Sequence, residues 1–206
     1  MARWSTASFC ATRPWPSKLK ELGIVVDAQS LVRQYRGAKL ATMLADIGSR
    51  CKTKIPDSFV PEYRALTASL FNKCLRPIVG VKAALDLIAL SKCVVSSSPP
   101  GKISQALRVT GFVGYFSDRT FSSYVVDSWK PDPGLLLYAS SQMGFSPSEC
   151  AVLEDSRLGI QAAASAGMIS FLFDPDGITP PLDLPLMTVF REMSALPELH
   201  RLDAKT

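Results

Sequence analysis

Histidine is almost missing from this chain of 206 residues, His200 being the single one, so neither a buried His dyad nor a multi-His metal centre is available to it. Cysteine is sparse and poorly spaced for pairing. Cys10, Cys51, Cys74, Cys93 and Cys150 are odd in number and never stand in Cys-x-x-Cys spacing, which favours reduced thiols over a disulfide framework or a zinc site. No apolar run approaches the roughly 20 residues of a bilayer-spanning helix; stretches such as Gly134 to Ala139 are far too short. The expectation is a cytoplasmic chain with no membrane partner. Acid is missing from the first 20 residues, which hold Arg3, Arg13, Lys18 and Lys20. They account for four of the net +5 charges, leaving +1 for the other 186 residues. With no basic stripe or aromatic-basic pattern beyond that segment, nucleic acid is not an expected partner.

What is present is a composition of 47% hydrophobic and 20% charged residues, enough for one ordinary core and a small appended module. Residues 1 to 18 show neither a 3.6 nor a 2 periodicity and contain two tryptophans and two prolines, so they stand apart as an aberrant segment. Residues 19 to 90 read as a small helical bundle. Asp27 is a candidate N-cap for a helix over Ala28 to Tyr35, with Gly37 at its stop. A second helix is expected over Lys39 to Ile47. A third runs from Asp57 to about Leu75, with Phe59, Tyr63, Leu66, Leu70 and Cys74 on one face. A hinge over 76–81 leads to a fourth helix, Lys82 to Leu90. Residues 91 to 206 alternate short apolar runs with helices, the mark of βα units around a parallel sheet. Strands are expected at Cys93 to Val95, Arg119 to Ser122, Cys150 to Leu153 and Ile169 to Phe173. Helices are expected at Ile103 to Val109, Gly134 to Met143 and Arg157 to Ala166, and Ser146 to Glu149 fits a capping box with proline at the first helical position.

In such a sheet, ligands sit beyond the carboxyl ends of the strands. Three ends carry chemistry. After Val95 come Ser96, Ser97 and Ser98 and a helix start, where hydroxyls and backbone N–H groups can hold a phosphate; the same residues also suit an ordinary βα turn. In Trp129-Lys130-Pro131-Asp132-Pro133 two prolines fix the backbone around one lysine, either a point charge for a phosphoryl group or a solvated turn residue. Leu153 is followed by Glu154-Asp155-Ser156-Arg157-Leu158-Gly159. Adjacent carboxylates repel unless a cation joins them, and their hard oxygens suit Mg²⁺; as acids before a helix they would equally favour its dipole.

The order Ser after a strand, Lys-Pro-x-Pro, then strand-Glu-Asp-Ser-x-x-Gly resembles the second, third and fourth motifs of the haloacid dehalogenase (HAD) superfamily of phosphohydrolases. The resemblance extends from about Leu19 to Leu199, and the sequence is most similar to sugar-phosphate phosphatases and phosphoglucomutase-like members of the 6-phosphogluconate phosphatase type. It implies an α/β fold, a Rossmann-like parallel sheet carrying an all-helical cap. It also implies two-step phosphoryl transfer: a carboxylate attacks phosphorus, a second Asp protonates the leaving oxygen, and water hydrolyses the aspartyl-phosphate. Carried onto this chain, Ser96 and Ser97 would bind the phosphoryl oxygens, Lys130 would balance charge, and Asp155 with Glu154 would hold Mg²⁺. Arg36 and Lys39 in the cap would face a small phosphorylated metabolite. A monomer is expected.

Members of this superfamily begin with an apolar strand ending in Asp-x-Asp-Gly-Thr, whereas the first aspartate here is Asp27, in the cap. Both catalytic aspartates, and the central strand that precedes them, are therefore expected to be absent. Shifting the reading frame, so that each triplet takes the last base of one codon and the first two of the next, lets residues 1 to 10 spell D-G-T-L-V-D-S-E-x-L. That is the sequence that follows the nucleophile in this superfamily. Residues 1 to about 17 are accordingly read as an out-of-frame translation, the alternative being a basic leader. The functional expectation is a Mg²⁺-dependent phosphatase for sugar or sugar-acid phosphates with little turnover in this chain. A noncatalytic phospholigand-binding protein and a sugar phosphomutase are the alternatives.

Overall fold

The computed structural model describes residues 14–35, 38–116, 118–177, 179 and 182–198. Most of the shifted-frame segment, as well as Arg36, Gly37 and His200, lies outside the described residues. Five helices come first: α1 Pro14–Lys20, α2 Ala28–Tyr35, α3 Leu40–Cys51, α4 Phe59–Cys74 and α5 Val81–Leu87. The α/β part follows as β1 Val94–Ser96, α6 Pro100–Thr110, α7 Val113–Phe116, β2 Thr120–Ser122, α8 Ser123–Val126, α9 Gly134–Met143, a 3₁₀ turn Pro147–Glu149, β3 Ala151–Glu154, α10 Arg157–Ser165, β4 Ile169–Phe173, β5 Met187–Phe190 and a 3₁₀ turn Met193–Ala195. No helix among the described residues is long and apolar enough to cross a membrane.

The α/β architecture with parallel strands agrees with the expected fold class, and α2, α9 and β4 have the expected bounds. Asp27 caps α2 by accepting the Ser30 N–H at 2.7 Å. Three differences have physical causes. α1 forms where no period was visible because both prolines fall in its first turn, where the backbone N–H groups have no helical partner to lose. α3 runs on to Cys51 and stops where Lys52 turns left-handed, φ 50°. The buried face of α4 is Phe59, Tyr63, Thr67 and Phe71, a strict i,i+4 row that leaves Leu66 43% exposed. β5 was not expected at all.

Four clusters of apolar side chains hold the described elements, two of them large. In the first, Trp15 and Leu19 of α1 meet Leu31, Met43, Leu44, Ile47, Phe59 and Tyr63, with the Trp15 ring 4.5 Å from that of Tyr63. Residues read as standing apart from the cap thus sit in its centre. In the second, Val81, Ala84 and Leu85 of α5 join Val94, Ile103, Phe112, Phe116, Phe171 and Phe173, so α5 packs with the sheet although it precedes Leu90. Phe71 and Leu75, with Ala106 and Val109 against them, bridge α4 to α6.

All strand pairing is parallel, but it forms two sheets. β1 pairs with β2 in the register Val94↔Thr120 to Ser96↔Ser122. β3 pairs with β4 from Ala151↔Ile169 to Glu154↔Leu172, and β4 with β5 from Ser170↔Met187 to Phe173↔Phe190. Among the described residues no strand joins β1 to β3.

Candidate active site

Lys130 is held in place from below. Asp132 Oδ1 accepts the Gly134 N–H and the Ser128 hydroxyl, both at 2.7 Å, and Ser128 Oγ accepts the Leu135 N–H at 3.0 Å. These bonds pull the Asp132 carboxyl below the usual carboxylate range and lock the proline-flanked loop onto the start of α9. A Cβ at Gly134 would lie 2.7 Å from Asp132 Oδ1, which is why glycine stands there. The loop delivers Lys130, 4% exposed, to the carboxyl end of β3, where its Nζ donates to Glu154 Oε1.

Glu154 is wholly buried. Its other oxygen, Oε2, accepts the Ser156 hydroxyl at 2.9 Å and the Asp155 N–H at 3.3 Å. Ser156 in turn caps α10, its Oγ accepting the Gly159 N–H at 3.1 Å. A Cβ on Gly159 would overlap the Glu154 carboxyl group, so α10 can approach only because that position is bare. The whole Glu-Asp-Ser-x-x-Gly spacing is thus one unit: a carboxylate at a strand end, a serine that binds it and caps the helix, and a gap one turn later that admits it. Asp155, 5% exposed, lies near enough to favour the charged form of Lys130, although burial pulls that ammonium down to about 8.

The expected residues fall into three groups. Lys130, Glu154 and Asp155 come together. Ser96, 2% exposed, stands at the tip of β1, across the opening between the two sheets; its Oγ accepts the Ser98 N–H at 3.1 Å. Among the described residues the buried Ser97 Oγ has no hydrogen-bond partner, so it can serve a ligand as donor or acceptor. Lys39 reaches the site's rim, its Nζ 3.6 Å from the centroid of the Trp129 ring. Arg36 lies outside the described residues.

Sequence reasoning missed the aromatics here. Trp129 packs edge-on to Tyr124 at 5.6 Å, and Arg64 of α4 donates to the Tyr124 hydroxyl at 3.3 Å. Trp129 Nε1 is buried with no hydrogen-bond partner among the described residues. The sequence signal for it is the indole directly before Lys130 in Trp129-Lys130-Pro131.

Two adjacent buried carboxylates are hard oxygen donors of the kind Mg²⁺ takes, usually one or two of them with water and phosphate completing the shell. The fit is one of kind, since no group of three or more His, Cys, Asp or Glu side chains converges among the described residues.

The model of the haloacid dehalogenase-like hydrolases matches residues 9–167. A 6-phosphogluconate phosphatase of Escherichia coli is 32% identical over 191 residues, covering 92% of this chain and 86% of the relative. A fructose-1-phosphate phosphatase of the same species is 24% identical over 156 residues, covering 76% and 83%. Among solved structures, a haloacid dehalogenase-like protein of unknown function from Agrobacterium tumefaciens superimposes with a TM-score of 0.83 at 25% identity, covering 98% of this chain and 94% of that one.

Proposed function

The chain belongs to the haloacid dehalogenase-like hydrolase family, and from that premise we propose that it is a sugar-phosphate phosphatase by descent whose residues hold a phosphoryl group and Mg²⁺ without the carboxylate pair that cleaves the ester. The observation that carries this reading is the buried convergence of Lys130, Glu154 and Asp155 at the end of β3. Burying two acids and one base is costly unless each is satisfied, and two adjacent carboxylates are donors that suit a divalent cation. Asp155, with Glu154 behind it, would hold Mg²⁺, which supplies charge neutralisation to the phosphoryl oxygens. Lys130 and the Ser96 and Ser97 hydroxyls would take the remaining oxygens. The ligand class rests on the relatives, which are named for 6-phosphogluconate and fructose 1-phosphate.

Attack by a carboxylate oxygen on phosphorus, with the sugar oxygen leaving, needs one unshielded carboxylate and one acid beside it. Among the acids at the sheet tips, both Glu154 oxygens accept bonds from Lys130 and Ser156, Asp155 is the proposed metal ligand, and Asp174 at the end of β4 accepts the Thr179 N–H at 3.1 Å; Asp27 caps α2. Positioning by the remaining groups falls far short of the ~10²¹-fold acceleration that phosphate-monoester hydrolysis can reach.

Two measurements on the purified chain test the proposal. 6-Phosphogluconate with Mg²⁺ is expected to raise Tm by several degrees, while p-nitrophenyl phosphate with Mg²⁺ shows no turnover above buffer. Strong Mg²⁺-dependent release of p-nitrophenol would overturn the loss of chemistry. Absence of any stabilisation by 6-phosphogluconate, phosphate or Mg²⁺ would overturn the ligand assignment.

A further inference from the structure

α6 opens on Pro100-Gly101-Lys102, directly after the serines that end β1. Its first turn holds no acid, and no side chain caps it. A lysine is misplaced there as far as the helix is concerned, because the backbone dipole makes that end positive and favours acids. Packing adds to the misfit. Lys102 is half-buried against α4, its Nζ 5.3 Å from the centroid of the Phe71 ring. One turn further, Gln105 ties the two helices together by donating to Ala68 O at 2.9 Å and Asn72 Oδ1 at 3.0 Å. Burial lowers the Lys102 ammonium to about 8, and the like charge of Arg64 on α4 pushes in the same direction.

Among the described residues no acid offsets these charges. The ion pairs engage Lys18, Arg50, Lys82 and Lys130, and none engages Arg64 or Lys102. Glu62, two residues before Arg64 on α4, is taken by Lys18 at 2.5 Å. Arg64 is nevertheless held in place: its guanidinium lies 5.6 Å from the centroid of the Tyr124 ring and donates to the Tyr124 hydroxyl at 3.3 Å. That contact uses one of the five donors of the guanidinium fork and leaves the others for a planar oxyanion. Two short routes join the cation pair to the phosphoryl-binding residues. One is the chain itself, which runs from Ser96 and Ser97 straight into the first turn of α6. The other is the aromatic strip in which Tyr124 packs edge-on to Trp129, the residue before Lys130.

We propose that Arg64 and Lys102 bind a carboxylate at the far end of a phosphorylated sugar acid whose phosphoryl group sits at Lys130, so that the chain selects sugar-acid phosphates over neutral sugar phosphates. The inference rests on the phosphoryl-group reading above and deepens it by naming the residues that recognise the other end of the ligand. Repulsion between the two cations becomes attraction once a carboxylate stands between them. The guanidinium fork matches the planar carboxylate through paired hydrogen bonds, and the ammonium closes the opposite side as a point charge. A neutral hydroxymethyl group in the same place would leave both cations uncompensated, which is how a polar site rejects an analogue that lacks the charged group. The repulsion that weakens the fold without ligand is therefore the source of the selectivity.

The test compares 6-phosphogluconate with glucitol 6-phosphate by titration calorimetry on the purified full chain with Mg²⁺. The two compounds share one open carbon chain and one phosphate and differ only in a carboxylate against a hydroxymethyl group. 6-Phosphogluconate is expected to bind at least about tenfold more tightly, the worth of one charge-assisted hydrogen bond. Arg64→Gln and Lys102→Met should each bring the two affinities together by weakening 6-phosphogluconate alone, with glucitol 6-phosphate and inorganic phosphate unaffected. Lys102→Met keeps an unbranched side chain against Phe71 and removes a half-buried charge, so misfolding does not explain its loss. Equal affinities in the unaltered chain, or variants that weaken both compounds alike, would overturn the proposal while leaving the phosphoryl-group reading intact. Fructose 1,6-bisphosphate binding more tightly than 6-phosphogluconate would also overturn it, because the cation pair would then serve a second phosphoryl group. If inorganic phosphate and both sugar derivatives fail to bind, the phosphoryl-group reading falls and this inference falls with it.

Discussion

The helical region closes on itself, and the sheet region does not. In the first, Trp15, Phe59 and Tyr63 meet ring to ring, 5.7 and 4.5 Å apart, and helices near in sequence satisfy their own backbones. In the second, the backbone needs distant strands, and among the described residues β1 and β3 share side-chain clusters but no strand pairing. Polar function concentrates in the open half. The buried Lys130–Glu154 ion pair lies at the end of β3 and the Ser97 hydroxyl just beyond β1. The lesson is that local contacts supply stability here, while the long-range layer supplies a site at the cost of completeness.

The sharpest way to break this contrast is to hollow out the closed half. Trp15→Ala removes an indole that is 3% exposed and should lower unfolding stability by about 4 kcal/mol. Urea titration should show the loss, with 6-phosphogluconate binding reduced only in proportion to the unfolded fraction. An unchanged midpoint would mean that α1 is not part of that core.

Gly159→Ala strikes the open half in the opposite sense, since the added methyl must displace Glu154 or α10. A cost of about 2–3 kcal/mol is expected from overpacking. Ligand-induced stabilisation should vanish even where the variant remains folded by circular dichroism. Retained ligand stabilisation would show that the Glu154 carboxylate is not needed at the site.

The seam between the halves should respond to pH. Lys102 of α6 lies over the Phe71 ring at 5.3 Å, and burial, with Arg64 nearby, lowers its ammonium from 10.5 to about 8. Its charge is therefore a liability below pH 8, where both folded and unfolded chains are protonated. Between pH 8 and 10.5 the unfolded chain binds more protons, so this group makes stability rise with pH. Lys102→Met should stabilise by about 1 kcal/mol at pH 7, a figure already reduced for its partial solvent contact, and the gain should shrink to nothing by pH 10.5. A pH-independent gain would assign the effect to packing instead.

The smallest effect is expected at Lys39→Gln, which removes one cation from the face of Trp129 and should cost about 0.5 kcal/mol. Trp129 emission should change, while β-sheet circular dichroism stays the same. An unaltered emission spectrum would show that the contact does not persist in solution.

Legibility in the sequence follows the same division. α2 could be read because Asp27 caps it, and β4 because Ile169 to Phe173 is an apolar run interrupted by Ser170 alone, between Gly167 and Asp174. α1 could not, since Pro14 and Pro16 hide it from any periodicity argument although its Trp15 is central. The α4 face was misplaced because Thr67, a polar residue, occupies a buried position that pattern reading gives to Leu66. At the site, strand-end position and motif order were enough to name Lys130, Glu154 and Asp155. The bare Cβ position that admits Glu154 and the indole beside Lys130 are contacts through space, which spacing along a chain does not encode.

Two cations from the helical half, Lys39 and Arg64, rest against two aromatics of the sheet half, Trp129 and Tyr124. Nature has thereby wired an optical gauge into the protein. Any hinge motion that lifts one half from the other must uncover the Trp129 indole, whereas Trp15, packed deep within a single half, should keep its colour throughout. Opening and closing could therefore be timed by fluorescence without attaching a dye.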